Sequence, residues 1–180
     1  FKLVRLEDEF IFLKKSKRRA REGKTKGKYP FITSSQNQTK FIDVADYNEE
    51  SIIIGTGGQP SVHIFKEFSC SADNFIIGTK NKDIFQKYVF HYLYKKDELK
   101  KGFKGQGLKH LSKEFLKNLL IPIPYKDNAP DLQKQKEIAE YLDNLHNKIK
   151  RLEELQEKQL NLFKELKESI LNKAFKGELV

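Results

Sequence analysis

The residues that could carry chemistry in this chain do not assemble into a catalytic pattern. The four histidines, His63, His91, His110 and His146, are far apart, and with the single Cys70 they offer no metal-ligand spacing. Neighbouring carboxylates such as Asp8-Glu9 carry no specific signal for acid–base work. Pro130-Asp131 with Glu165-Leu166-Lys167 imitates a nuclease pattern, but both halves fall in or at one long helix-forming stretch and cannot converge on a metal. Gly23-Lys24-Thr25 ends like a phosphate-binding P-loop, yet the glycine required five positions earlier is Arg18. The turn Gly55-Thr56-Gly57-Gly58-Gln59-Pro60 would need a third glycine at Pro60 to be a dinucleotide fingerprint. The Asp-Pro-Pro-Tyr and Asn-Pro-Pro-Tyr signatures of adenine methyltransferases are absent.

What remains suits recognition. From Lys14 to Lys28, nine Lys or Arg accompany one Glu. Such a run is either a solvated loop or a phosphate-contacting segment. The candidates for phosphate contact are Lys14, Lys15, Lys17, Arg18, Arg19, Arg21 and Lys24. Thr33, Ser34, Ser35, Gln36, Asn37 and Gln38 form an uncharged polar cluster, able to address base edges or simply to turn the chain. The glycine turn carries Gly58, Gln59 and Ser61. A second glycine-rich loop, GFKGQG at 102–107, carries Lys104 and Gln106, with Lys109 just beyond it. Gln and Asn match the edge of adenine, and Lys matches that of guanine.

The charge balance places this recognition in the first part of the chain. The net charge of +10 comes entirely from residues 1–130, with 25 Lys+Arg against 15 Asp+Glu, whereas residues 131–180 hold 10 of each. That asymmetry predicts a polyanion partner for the first part and a protein partner for the second. One cysteine excludes an intrachain disulfide framework and fits a reducing cytoplasm. No apolar run approaches the ~20 residues of a membrane span and no signal-like segment opens the chain, so a cytoplasmic location without membrane contact is expected. The chain begins at Phe1 and contains no Met, and is expected to be a fragment or a processed form.

The elements that must position these residues are short, except the last. Tyr29–Ile32, Lys40–Val44, Ser51–Ile54, Ser61–Phe65 and Asp73–Gly78 read as strands by their apolar and β-branched content. Residues 84–101 read as one amphipathic helix with Phe85, Val89, Tyr92 and Leu93 on its apolar side. Leu108–Leu111 reads as extended, Ser112 as the cap of a helix over KEFLKNLL, and Ile121-Pro122-Ile123-Pro124 as an edge strand. From Asp131, a plausible N-cap, to Lys176 there is no Gly or Pro, and Gly177 is a plausible stop. A helix over 132–174 would be about 65 Å long. Ile138, Leu142, Leu145, Ile149 and Leu152 lie along one stripe, which slips at Gln156 and Gln159 and resumes at Phe163, Leu166 and Ile170. The stripe predicts pairing with another long helix, in another chain or in another part of the parent protein. The fold class expected is therefore α+β: a mixed domain over 1–130 with a small twisted sheet and short helices, one coiled-coil-type helix over 131–176, and a tail at 177–180.

The order of several short segments carries a resemblance. Val4-Arg5-Leu6-Glu7-Asp8 is followed by Gly27-Lys28-Tyr29-Pro30-Phe31-Ile32, then by Ile52-Ile53-Ile54-Gly55-Thr56-Gly57-Gly58. Gly105-Gln106-Gly107-Leu108-Lys109-His110-Leu111, Ile121-Pro122-Ile123-Pro124 and Gln135-Lys136-Glu137-Ile138-Ala139 complete the set. Over essentially its whole length the chain resembles the specificity subunit of Type I restriction-modification systems, as one target recognition domain plus one spacer helix. The resemblance implies a non-catalytic α/β module that reads one half of a bipartite double-stranded DNA site. It also implies spacer helices that pair antiparallel, and modification subunits that bind S-adenosylmethionine and methylate adenine; a restriction subunit can join them. No cofactor is expected in this chain. A full subunit has two recognition domains and two helices. The half-length form therefore implies a second copy or a second recognition domain through the helix, or else the C-terminal specificity domain of a fused methyltransferase-endonuclease. A coiled-coil scaffold with an incidental basic domain is the contrasting reading.

Overall fold

Three consecutive isoleucines set the centre of the fold. Ile52, Ile53 and Ile54 are all fully buried, as an apolar run must be when both faces of its strand are covered. Their side chains alternate, so Ile52 and Ile54 enter one core, with Leu6, Val89, Leu93 and Ile123, and Ile53 enters another, with Ile32, Phe68, Cys70 and Ile76. The structure, a computed structural model, describes residues 1–95, 97–107 and 109–178.

In chain order, β1 (Lys2–Arg5) leads into the one-turn helix α1 (Leu6–Glu9) and β2 (Phe10–Phe12). A single 3-10 turn, Ala20–Glu22, interrupts the basic run before β3 (Tyr29–Ile32) and β4 (Lys40–Ile42). Then come β5 (Ser51–Gly55), β6 (Val62–Phe65), β7 (Ser69–Cys70) and β8 (Asn74–Thr79). After these follow α2 (Gln86–Tyr94), α3 (Asp97–Lys100), β9 (Phe103–Lys104), β10 (His110–Leu111), α4 (Lys113–Lys117) and β11 (Leu120–Ile123). The ribbon β12 (Tyr125–Lys126) and β13 (Ala129–Pro130) precedes α5 (Leu132–Phe175).

The fold is mixed α+β with short helices and one long C-terminal helix, as expected, and its strands are shared among several small sheets. Among the described residues there is an antiparallel sheet in the order β2-β8-β5-β6 and a second in the order β4-β3-β7, where β3 and β7 are parallel. Three two-stranded ribbons, β1-β11, β9-β10 and β12-β13, complete the pairing. Division is the natural result of short strands joined by polar turns, each able to register with only a few neighbours. Among the described residues β11 pairs with β1 alone, which accommodates Pro122 opposite Leu3.

The helix expected over 84–101 is two helices, α2 and α3, with Lys96 outside the described residues. Val89 and Leu93 are buried on the predicted side, and Leu99 is buried as well. Leu108 lies outside the described residues, so the extended reading of that segment rests on β10 alone. Ser112 caps α4, its Oγ accepting from the Phe115 N–H at 3.2 Å.

Two compact units divide the chain within α5, at Phe1–Ala139 and Glu140–Val180. Asp131 caps the helix, its Oδ1 accepting from the Lys134 N–H at 2.9 Å. The first two turns belong to the first unit because Gln135 and Ala139 are fully buried there. The Gln135 amide accepts from the Phe85 N–H at 2.8 Å and donates to the Asp83 carbonyl at 2.9 Å. Gln135→Leu leaves both backbone groups without that partner, so urea unfolding is expected to show a loss of about 1–3 kcal/mol for each group left unsatisfied. A midpoint unchanged from the parent would reject this role.

In the second unit, every side chain from Asn144 to Phe175 is exposed. Gly177, at φ 72°, closes the helix: the Glu178 N–H reaches the Lys173 carbonyl at 2.9 Å and the Gly177 N–H that of Ala174 at 3.1 Å. Of the 177–180 tail, Leu179 and Val180 lie outside the described residues. The helix also corrects one expectation about its stripe. From Leu152 the steps to Gln156, Gln159 and Phe163 are four, three and four, so the heptad phase runs unbroken. What changes at Gln156 and Gln159 is polarity, and the register continues.

Candidate nucleic-acid interface

The segments singled out above are separate in sequence, and the first unit brings them to one edge. The loop after β8's predecessor strand is the junction. The carbonyl of Asp73 accepts both the Ser34 hydroxyl, at 2.6 Å, and the Thr56 N–H, at 3.0 Å. The adjoining Ala72 N–H donates to the Arg18 carbonyl at 2.8 Å. Two consecutive residues therefore tie together the basic run, the polar cluster and the glycine turn. From that turn, the Gly58 N–H reaches the Lys109 carbonyl at 3.2 Å, the Leu111 N–H reaches the Thr56 carbonyl at 2.8 Å, and Gly57 bridges His110. The second glycine-rich loop is thereby attached to the first.

Glycine is needed at two of these places. A Cβ on Gly55 would lie 2.2 Å from Ser61 Oγ and 3.0 Å from Ser34 Cα, so the close approach of the two loops depends on its absence. Gly58 has φ 77°, a left-handed conformation that side chains disfavour.

Within this edge the candidate residues separate by what their side chains already do. Gln36, Gln59, Lys104, Gln106 and Lys109 are exposed. Ser61 is not; it is fully buried, which corrects its reading as a base contact, because a hydroxyl in the core cannot reach a groove. Ser34 is half-buried and its hydroxyl is spent on Asp73, while Thr33 Oγ1 and Ser35 Oγ accept from the Ser35 and Asn37 N–H groups at 3.4 and 3.3 Å. These three side chains act as local turn formers. The Gln38 amide donates to the Lys40 carbonyl. Gln36 is thus the long side chain of this cluster that the turn itself does not use.

The basic run is pinned. Tyr47 Oη donates to the Lys14 carbonyl at 2.7 Å. The Arg18 guanidinium grips the Asp46 carboxylate through two nitrogens, one at 2.8 Å, and also reaches Glu22 at 3.3 Å. That grip holds the Asp46 carboxyl below the usual carboxylate range, against the opposing effect of partial burial. Its stabilising contribution is present above the ordinary aspartate pKa and is lost as the pH falls through the lowered one. Arg18 therefore serves the fold, a revision of its reading as a phosphate contact. Lys24 meets Asp43 at 2.8 Å, but both are well exposed, so that pair is worth little. Lys14, Lys15, Lys17, Arg19 and Arg21 are exposed, and among the described residues no carboxylate pairs with Lys14, Lys15 or Lys17.

Reasoning from sequence missed His63 and His110, because isolated histidines are usually structural. His63 Nε2 lies 2.8 Å from the Ser35 carbonyl, and the exposed His110 sits against Gly57. Only strand register brings them to this edge. No group of His, Cys, Asp and Glu among the described residues is arranged to hold a metal, and no described helix is long and apolar enough to cross a membrane. Cys70 is buried, and that burial pushes its thiol up to about 12.

The chain is 26% identical over 187 residues to the Type I restriction enzyme MjaVIII specificity subunit of Methanocaldococcus jannaschii, covering 97% of this chain and 42% of that protein. Its fold is similar to a chain from a structural study of assembly and conformational transition in the type I R-M system, with a TM-score of 0.73 at 19% identity, covering 98% of this chain and 46% of that one. It is also similar to the Type I restriction-modification S subunit from M. genitalium, with a TM-score of 0.67 at 17% identity, covering 84% and 40%. The chain spans less than half the length of each of these proteins. Residues 1–162 match the family described as the Type I restriction modification DNA specificity domain, and the chain belongs to that family.

Proposed function

We propose that residues 1–130 form a target recognition domain that reads one half of a bipartite duplex DNA site, and that 131–176 form the spacer helix. The observation that carries this reading is the convergence of the basic run, the polar cluster and both glycine-rich loops on one edge, through Ala72, Asp73 and the Gly57–His110 bridge. Phosphate contacts from Lys14, Lys15, Lys17, Arg19, Arg21 and Lys24 would hold the duplex, while Gln36, Gln59, Lys104, Gln106 and Lys109 address bases. The same reading makes the chain a non-catalytic specificity component in the cytoplasm. Adenine methylation would belong to modification subunits that bind S-adenosylmethionine, and cleavage to a restriction subunit. The exposed stripe of α5 would be covered by a second long helix, antiparallel, which in a half-length chain is that of a second copy.

Methylome sequencing of cells with and without the intact gene tests the reading directly, since a bipartite methylated motif should vanish with the gene. Each of Gln36→Ala, Gln59→Ala and Gln106→Ala is expected to relax discrimination at one base position by about 1–3 kcal/mol where a bidentate pair is lost. Selection of bound sites from a random duplex pool measures this. Unchanged preference in all three variants would remove these loops from the reading surface.

A further inference from the structure

The exposed face of α5 carries a pattern that specifies its own partner. Two rows run along it, Leu142, Ile149, Gln156, Phe163 and Ile170 in one, and Leu145, Leu152, Gln159 and Leu166 in the other. Core layers of an antiparallel helix pair join a residue of one row to a residue of the other. We infer that α5 pairs antiparallel with α5 of a second copy of this chain in one register. That register sets Leu145 opposite Ile170, Ile149 opposite Leu166, Leu152 opposite Phe163, and Gln156 opposite Gln159. The glutamine layer selects it. This inference rests on the pairing reading above and adds the register and the residues that choose it.

Two independent observations give the same centre. The first is side-chain type: between Leu145 and Ile170 only Gln156 and Gln159 interrupt the two rows, and they are equidistant from the point between 157 and 158. Matched about that point, every apolar side chain of the rows from Leu145 to Ile170 meets an apolar one, the amides meet each other, and Leu142 lies beyond the last apolar layer, level with Lys173. A slip of one heptad sets Gln156 against Leu152 and Gln159 against Ile149, or against Leu166 and Phe163, and buries amides on hydrocarbon. The second observation is the division of the helix. The part outside the first unit runs from Glu140 to the helix end at Phe175, and its midpoint is also between 157 and 158. In this register the two copies overlap along the whole of that part. Leu155 and Leu162, both exposed on one flank, come side by side across the seam and cover the amides.

Orientation follows from charge. Parallel pairing would bring together, at one end, two N-terminal units whose residues 1–130 each carry an excess of ten positive charges. It would also align the helix macrodipoles unfavourably.

Thiol cross-linking of the full chain tests the register, using a short bifunctional maleimide, with buried Cys70 left in place. The double variant Leu145→Cys, Ile170→Cys is expected to form a cross-linked dimer. The double variant Leu142→Cys, Leu166→Cys, about 10 Å out of step along the axis, is not. Leu145→Cys alone is not expected to cross-link, because only a parallel pair brings it to its own copy. Gln156→Leu with Gln159→Leu is expected to tighten the dimer at least tenfold and to let the out-of-step pair cross-link as well. Cross-linking of the out-of-step pair in the parent background, or of Leu145→Cys alone, would overturn the register while pairing itself stands. Retention of one register after both glutamines are replaced would overturn their role. A chain that sediments as a monomer and cross-links at no pair would overturn the pairing reading together with this one.

Discussion

Replacing Lys14, Lys15, Lys17 and Arg19 together by Gln is expected to weaken duplex binding up to roughly a thousandfold at about 0.15 M salt, and to do so equally for all sequences. The physical reason is counterion release. Each phosphate contact steepens the dependence of log affinity on log salt by about 0.9, so losing four contacts flattens it by up to about 3.6. Arg18 is left out because its guanidinium is committed to Asp46 and Glu22. Arg18→Gln should instead lower thermal stability, since it strands the partly buried Asp46 carboxylate. Affinity measured by titration at several salt concentrations decides the matter. A salt slope that stays at the parent value, or a change in sequence preference with no general loss, would remove the run from the phosphate-binding surface.

The second large effect concerns the helix. Leu145→Asp with Ile149→Asp is expected to separate the paired helices and leave the first unit folded, because both side chains are exposed within a single chain. Each apolar side chain withdrawn from a seam costs about 1.5–3 kcal/mol, and a dimer loses four. The dissociation constant should then rise at least roughly a thousandfold. Sedimentation at several concentrations reads the dimer, and urea unfolding of the first unit reads the fold. Full dimerisation by the variant would sink the seam. A companion insertion of seven residues near the middle of α5 keeps the heptad phase and lengthens the overlap by about 10 Å. The gap between the methylated half-sites should then grow by about three base pairs, with each half-sequence unchanged.

Much of this molecule is legible in its sequence, and the reason differs by element. The run Ile52-Ile53-Ile54 reads as a buried strand by its β-branched content, and the two cores that take its alternate side chains show that both faces are covered. Asp131, a breaker-free stretch to Lys176 and Gly177 marked both ends of α5, and the observed helix ends within a residue of the expected ones. Helix 84–101 was less legible, because the same apolar spacing serves one long helix or two short ones that both face the core. At Gln156 and Gln159 the stripe changes polarity while its spacing of four, three and four keeps the phase.

The sequence by itself determined the uneven charge, the strand of Ile52-Ile53-Ile54 and the long C-terminal helix, because these follow from composition, local propensity and periodicity. Tertiary structure alone decided which of the candidate residues lie near one another and which are already occupied. Ser61 and Gln59 are two positions apart in one turn, yet one is sealed in the core and the other faces solvent. Arg18 and Lys17 are neighbours in one basic run, yet only Arg18 finds Asp46, 28 positions away. Hydrogen bonds that join Ala72 to Arg18, Asp73 to Ser34 and Thr56, and Gly58 to Lys109 depend on strand register, which arises from long-range packing and has no counterpart in local sequence.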